Sequence, residues 1–270
     1  MANYFKELDG KWAVVLGSSS GFGGATSIAL ARAGMHICGV HLDRKATLEN
    51  VDRIIGSIRE AGREALFFNV NAADPDQQAE VMTSLAAKLG PTGTVHVLMH
   101  SLAFGALKPY FGPPGEAINR SQLEMTLDVM AHSLVYWTQD LVARNLLKEG
   151  GRVFAMTSAG GERVWPNYGA VSAAKAALES HVRQLALELA PKKITANAIR
   201  AGVTDTPALR KIPGNERMIG LATARNPHRR LTTPEDVADA LVAFSLPHAR
   251  WITGNVIGVD GGENIADSNR

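Results

Sequence analysis

Short apolar runs alternate with longer amphipathic stretches along this chain. Trp12-Ala13-Val14-Val15-Leu16-Gly17 holds no polar side chain and ends in glycine, the pattern of a strand buried on both faces. A helix is predicted over about 22–33, a second strand over 35–41 and a third over 64–69. Asp74-Pro75 supplies a cap and a first-turn proline for a helix over 76–89. A fourth strand follows at 95–100, then a long helix over 121–147 and a fifth strand over 152–157. Between residues 169 and 190, Val171, Ala174, Leu178, Val182, Leu185 and Leu189 recur at steps of three and four, which makes one helical stripe. Residues 194–199 read as a strand. Residues 207–227 contain Pro213-Gly214 and read as an irregular, mobile loop. Thr233-Pro234-Glu235 opens a helix that reaches 246, and a last strand at 256–259 is closed by Gly261-Gly262. The repeated strand–helix order predicts an α/β fold, a doubly wound parallel sheet of about seven strands with helices on both faces. No repeat or low-complexity linker divides the chain, so residues 1–270 read as a single domain with a substrate loop at 207–227.

Composition adds exclusions. The 270 residues are 46% hydrophobic and 20% charged with a net charge of +2, a balance that asks for neither nucleic acid nor a membrane surface. The single cysteine, Cys38, lies inside an apolar run and reads as a buried, inert thiol. That fits a reducing compartment, and the polar start of the chain has no signal-like apolar segment, so a cytoplasmic location is expected. No group of His, Cys, Asp and Glu has metal-ligand spacing, so no metal is expected.

The first chemical signal is Gly17-Ser18-Ser19-Ser20-Gly21-Phe22-Gly23, between the first strand and first helix. Small residues there let backbone approach a pyrophosphate, and the helix N-terminus offers free N–H groups to its charge. The spacing, G-x-x-x-G-x-G, resembles the short-chain dehydrogenase/reductase family, and the resemblance runs from Lys11 to Gly262. The resemblance implies a Rossmann fold and a nicotinamide dinucleotide. It also assigns cofactor contacts to Asn69-Val70 after the third strand and to Ser101-Leu102-Ala103, which follow His100. Gly202, Thr204 and Thr206 in the run after the sixth strand are assigned to the nicotinamide. Ile252-Thr253-Gly254 with Val259-Asp260-Gly261-Gly262 matches the family's C-terminal signature.

Ordinary members carry a serine, a tyrosine thirteen residues later and a lysine four further on. Here Ser158 and Lys175 stand in place, but the tyrosine position is Val171. A tyrosine occurs instead at Tyr168, seven residues before Lys175, close to two helical turns and so on one face. This spacing resembles the enoyl-acyl-carrier-protein reductases, the type III branch most closely. So do His100-Ser101-Leu102-Ala103-Phe104 and Glu162-Arg163 ahead of Pro166-Asn167-Tyr168. The resemblance implies that Tyr168, Lys175 and Ser158 are catalytic. Saturating a C=C bond conjugated to a thioester moves negative charge onto the thioester oxygen, and a displaced phenol suits that oxygen. The family's proton-relay asparagine corresponds to Met130, which disfavours ordinary alcohol chemistry. His100 and His132 read as polar packing residues.

The presence or absence of a 2′-phosphate on the adenosine ribose is read from the end of the second strand. The family position falls at His41, which is not acidic. A strand ending at His41 leaves Arg44 or Lys45 for a 2′-phosphate and favours NADPH; one running on to Asp43 favours NADH. The balance leans to NADP(H). Phe104, Trp165 and Leu209 are candidates for an acyl pocket. Arg210-Lys211 and Arg225 to Arg230 are candidates for a phosphopantetheine arm or an acyl carrier protein. The family implies a homotetramer, with some of Leu134, Val135, Tyr136 and Trp137 facing a partner subunit. Two rivals remain: a carbonyl reductase of the same family, and a non-catalytic dinucleotide sensor. A sensor needs neither Tyr168 nor Lys175.

Overall fold

Seven short strands lie side by side in one sheet, and every neighbouring pair is parallel. The computed structural model describes residues 5–267. In chain order the elements are β1 Trp12–Leu16, α1 Gly21–Ala33, β2 His36–His41, α2 Leu48–Glu60, β3 Ala65–Asn69, α3 Pro75–Leu89, β4 Val95–His100, α4 Arg120–Leu127 and α5 Ser133–Ala143. They continue with β5 Leu147–Ser158, α6 Gly169–Leu189, β6 Thr195–Ala201, α7 Asn215–Arg225, α8 Pro234–Ser245 and β7 Val256–Val259. The strand order is 3-2-1-4-5-6-7. Order reverses between β1 and β4, and in such sheets a crevice opens there at the carboxyl ends of the strands.

Alternation along β1 divides the core. Val14 and Leu16 face a layer built on Leu85, Leu134, Trp137, Leu178 and Val182; Ala13 and Val15 face one built on Leu30, Ile54, Ile58 and Leu241. Both sides of the sheet are therefore covered, as the unbroken apolar strands require. Cys38 sits in the first layer, and burial pushes its thiol up to about 12, so it is inert at neutral pH.

The structure differs from the sequence reading in three elements. The helix expected over 121–147 is two helices joined by a π-helical turn, Asp128–His132, and it ends at Ala143. Asn145 takes a left-handed backbone there, which stops the helix and turns the chain into β5. The segment 207–227, expected to be irregular, contains a single turn at Leu209–Lys211 and the helix α7. That helix buries only Ala222, so its apolar pattern is too weak to read from sequence. The structure adds helix α2, to which the sequence reading gives no element; Val51, Ile54 and Ile58 are its buried stripe. Of the four residues considered for a subunit contact, Leu134 and Trp137 are wholly buried in this chain's own core. The Trp137 indole N–H donates to the Ala72 carbonyl at 2.7 Å. Tyr136 is the one of the four that is exposed.

Packing at two helical glycines differs in a testable way. A Cβ on Gly23 would lie 2.1 Å from the Gly17 carbonyl oxygen, whereas one on Gly56 meets nothing within 4 Å. Gly23→Ala is expected to cost about 2 kcal/mol or more, because backbone cannot yield. Gly56→Ala is expected to stabilise α2 by about 0.4–1 kcal/mol. Thermal melts of the two variants check this pair; equal shifts would contradict it.

Candidate active site

The crevice begins at the glycine-rich turn. Gly17 and Gly21 take positive φ, and a Cβ on Gly17 would lie 2.3 Å from the Ser101 carbonyl oxygen. The turn is thus pressed onto the end of β4, where the Ser101 N–H donates to the Leu16 carbonyl at 2.9 Å. Ser20 precedes α1 with an extended backbone and caps nothing, and the first turn of α1 holds no acidic residue. The N–H groups of Gly21, Phe22 and Gly23 are therefore left for an anion. Ser19 flanks them, its carbonyl accepting from the Asn50 side chain. Ser18 differs from the sequence assignment. It is completely buried, and its N–H and hydroxyl both donate to the Val40 carbonyl, so it faces no ligand.

Strand β2 ends at His41. The buried His41 ring meets the Asp43 carboxylate, Nδ1 to Oδ2, at 3.0 Å. The Thr47 hydroxyl donates to the other Asp43 oxygen at 2.6 Å. Burial alone pushes the Asp43 carboxyl up, but hydrogen bonds from Thr47, Ser19 and His41 outweigh it and hold the group below its usual range. Asn69 clasps the Asp43 backbone, its Oδ1 accepting from Asp43 N at 2.8 Å and its Nδ2 donating to Asp43 O at 3.0 Å. The Val70 N–H donates to the His41 carbonyl at 2.8 Å. Arg44 and Lys45 are exposed.

At the end of β4, His100 is fully buried, and its Nε2 lies 2.9 Å from the Ser133 hydroxyl. Ser133 spends its only proton on the Val129 carbonyl in the π-helical turn, so His100 Nε2 carries the hydrogen. Burial, with the nearby Lys175 charge, lowers the imidazole to about 3, so it is neutral. Its role is to tie β4 to α5. Leu102 packs against the glycine turn at Gly17, and Ala103 and Phe104 are exposed at the mouth of the crevice.

Strand β5 delivers Ser158, whose hydroxyl accepts from Gly160 N at 3.2 Å. Tyr168 immediately precedes α6, and its ring rests on Gly160: a Cβ there would lie 2.5 Å from Tyr168 Cε1 and 3.1 Å from Ser158 Oγ. Tyr168 and Ser158 therefore share one small space. Burial raises the phenol above its ordinary value, while the Ser158 hydroxyl opposes that shift. Two turns on, the buried Lys175 donates from Nζ to the Met156 carbonyl at 2.7 Å. Burial lowers its ammonium to about 8, and Glu179 opposes. Val171 and Met130 are both core residues.

Two residues near this group escaped the sequence reading. Glu179 is a buried carboxylate one turn beyond Lys175, held by the Thr157 hydroxyl at 2.6 Å. Its signal was present, an acidic residue beside the apolar stripe of α6. Tyr110, from the segment after β4, lays its ring on Gly169, where a Cβ would lie 2.6 Å from Tyr110 Cζ. Nothing in the sequence pairs those two positions.

The segment after β6 closes the crevice opposite the glycine turn. Thr204 is buried, with its hydroxyl on the Gly202 carbonyl at 3.0 Å. The Thr206 methyl lies 3.5 Å from a Cβ placed on Gly21, and its hydroxyl accepts from Leu209 N at 3.2 Å. Of the basic residues near this segment, Arg210 is paired with Asp205 at 2.8 Å. Arg230 is paired with Asp236 at 2.5 Å. Arg163 and Arg225 line one surface recess beside Ile265. Among the described residues no group of three His, Cys, Asp or Glu is placed to hold a metal ion, and no helix is long and apolar enough to cross a membrane.

Comparison with known proteins places this arrangement. A family model described as enoyl-(acyl carrier protein) reductase matches residues 17–264. The chain is 31% identical over 264 residues to the NADH-dependent enoyl-acyl-carrier-protein reductase of Escherichia coli, covering 97% of each. The crystal structure of the Aquifex aeolicus enoyl-acyl-carrier-protein reductase (NADH) superposes with a TM-score of 0.82 at 26% identity, covering 96% of this chain and 98% of that one. A promiscuous reductase that catalyses keto-reduction in lugdunomycin biosynthesis superposes with a TM-score of 0.81 at 28% identity, covering 97% of this chain and 100% of that one. A doubly wound sheet, a glycine-rich first turn and a family match over nearly the whole chain lead to one conclusion: this chain belongs to the nicotinamide-dependent short-chain dehydrogenase/reductase family, in its enoyl-acyl-carrier-protein-reductase-like branch.

Proposed function

We propose that this oxidoreductase reduces the carbon–carbon double bond of a trans-2-enoyl thioester. The observation that carries the reading is the place of the phenol. Tyr168 stands beside Ser158 at the start of α6, two turns before Lys175, while the position one turn before Lys175 is the buried Val171. The crevice fits a dinucleotide: Gly17, Gly21 and Gly23 clear a backbone cradle, and the N-terminus of α1 is left open to a pyrophosphate. Gly17, Ser19, Ser20, Gly21, Phe22 and Gly23 hold the phosphates. Asp43, Asn69 and Val70 border the adenosine; Ser101, Leu102 and Ala103 line the floor; Gly202, Thr204 and Thr206 face the nicotinamide.

A reduced dinucleotide held there would supply the hydride that saturates the β-carbon of the enoyl group. As that bond forms, the C=C electrons shift and the thioester oxygen becomes an enolate. The Tyr168 hydroxyl donates a hydrogen bond to that oxygen, and Ser158 orients the phenol. Lys175 holds the nicotinamide ribose, and its charge favours negative charge nearby. A proton from solvent then reaches the α-carbon as the enolate collapses, which completes the saturated thioester.

We read the preferred cofactor as NADH, against the lean toward NADPH drawn from sequence. The strand does end at His41, but the Asp43 carboxylate folds back to His41 and Ser19, beside the glycine turn. An ionised carboxylate there accepts from a ribose diol and repels a 2′-phosphate. The enoyl reductases similar to this chain carry NADH in their names. The acyl group lies toward Phe104, Trp165 and Leu209. A phosphopantetheine arm or acyl carrier protein approaches Arg163, Arg225 and Lys211, since Arg210 and Arg230 are already paired. The chain acts as one domain in a cytoplasmic homotetramer.

The keto-reducing relative supports a second reading, reduction of a 3-oxoacyl thioester or ketone with the same Tyr168. Nicotinamide oxidation followed by absorbance separates the readings. Crotonyl-CoA is expected to be reduced faster than acetoacetyl-CoA; the reverse order would transfer the assignment to carbonyl reduction, and no oxidation with either would indicate a sensor. Tyr168→Phe is expected to lower turnover by about 10²-fold or more while cofactor affinity is kept; wild-type turnover would remove Tyr168 from the mechanism. NADH is expected to bind more tightly than NADPH, and Asp43→Asn to narrow the gap; a tighter NADPH complex in the wild type would overturn the cofactor reading.

The pH dependence has a definite sign. Lys175 is charged below about 8 and Tyr168 stays protonated well beyond that, so kcat/KM is expected to fall as pH rises through about 8. Lys175→Arg should move that limb to higher pH because guanidinium keeps its charge. A limb unmoved in Lys175→Arg would assign it to another group.

A further inference from the structure

A buried carboxylate that the proposed mechanism does not use stands behind the nicotinamide side of the crevice. Glu263 follows β7 in the turn Gly261-Gly262-Glu263-Asn264 and is almost wholly buried. Asp260 builds that turn: its Oδ1 accepts from Gly262 N at 3.0 Å and its Oδ2 from Asn264 N at 3.3 Å. Gly261 and Gly262 both take positive φ, the backbone that so tight a reversal needs. The Asn226 side chain donates to the Asp260 carbonyl at 2.9 Å, and the Arg163 guanidinium donates to the Asn264 carbonyl at 3.3 Å. The turn is therefore held from two sides.

Its product is a carboxylate aimed at the segment after β6. Glu263 Oε2 accepts from the Val203 N–H at 2.9 Å. The neighbouring Gly202 packs so closely that a Cβ there would lie 2.4 Å from Thr232 Oγ1, 2.9 Å from Glu263 Oε2 and 3.2 Å from Asp260 Cα. The backbone of Gly202 and Val203 is thereby seated against Glu263, Asp260 and Thr232. The bond is partly buried, and an irregular segment past the end of a strand has no ladder partner to supply another acceptor. Burial raises the Glu263 carboxyl; the Val203 N–H opposes that, Asp260 adds to it, and Arg225 and Arg163 oppose it. An apolar side chain would avoid this electrostatic penalty but would leave the Val203 N–H without an acceptor.

We propose that Glu263 is the positioning residue of the nicotinamide cradle, fixing Gly202 to Thr206 through its hydrogen bond to the Val203 N–H so that Thr204 and Thr206 stand ready before the cofactor arrives. The proposal rests on the reading that this segment holds the nicotinamide, but not on the identity of the acyl substrate.

Three measurements on the full-length protein test it without any acyl substrate. In Glu263→Ala, hydrogen exchange of the 202–206 amides should quicken by about tenfold or more while the β1 and β4 amides exchange as in the wild type. NADH affinity, read by fluorescence titration, should weaken by about tenfold. Glu263→Gln keeps an oxygen that can accept from Val203 N–H and should restore affinity to within about threefold of wild type. Unchanged exchange in Glu263→Ala overturns the pinning contact. Quickened exchange with unchanged NADH affinity overturns the cradle role. If Glu263→Ala does not fold, Glu263→Gln and Glu263→Leu are compared: equal affinity in those two overturns the proposal, and a selective loss in Glu263→Leu supports it. An enoyl-CoA that is not reduced by the wild type bears on the substrate alone and leaves these three results standing.

Discussion

The close contact between the backbones of Gly17 and Ser101 governs the rest of this molecule. It joins the ends of β1 and β4 with no room for a Cβ between them. These are the strands at which the sheet changes direction, so the chain leaves them toward opposite sides and a crevice opens above them. Around that crevice stand the bare start of α1, the end of β5 with Ser158, Tyr168 at the start of α6 and the segment after β6. A larger residue at 17 would separate two central strands as well as block the cradle, so fold and site share one steric condition.

Charge is the second organising feature. Two ionisable groups beside the crevice, Lys175 and Glu263, are buried. Lys175 is buried against the Met156 carbonyl, with Glu179 one turn away and Glu179 in turn held by Thr157. On the other side Glu263 is buried against Val203. Buried charges are tolerated where hydrogen bonds replace water, and they make a site rigid because their partners cannot be exchanged cheaply. Under the proposed reduction, a phenol and an ammonium ion stand on one edge, where negative charge would develop. The oxygen that takes that charge is what separates the two readings, alkene and carbonyl reduction.

Several residues changed meaning between sequence and structure. Ser18 lies within a cofactor-binding signature yet is a buried strut bonded to Val40. Leu134 and Trp137 were candidates for a subunit contact yet fill this chain's own interior. His41 occupies a cofactor-specificity position, but what it does is hold Asp43 in place. A side chain's direction depends on backbone rotation and on a neighbour distant in sequence, and no periodicity records either one.

The sequence by itself determined the parallel sheet, the order of its seven strands along the chain and the family. Those follow from local signals: unbroken apolar strands, glycine spacing, and the Ser158, Tyr168 and Lys175 intervals. The tertiary structure alone decided which of these groups meet. It placed Tyr168 on Gly160 beside Ser158, Tyr110 on Gly169, and Glu263 under Val203. These contacts join residues up to 60 positions apart. They are set by how helices settle on a twisted sheet, and each depends on the absence of a single Cβ or on the one acceptor within reach. Such conditions belong to packing in three dimensions and leave almost no trace in the linear order of residues.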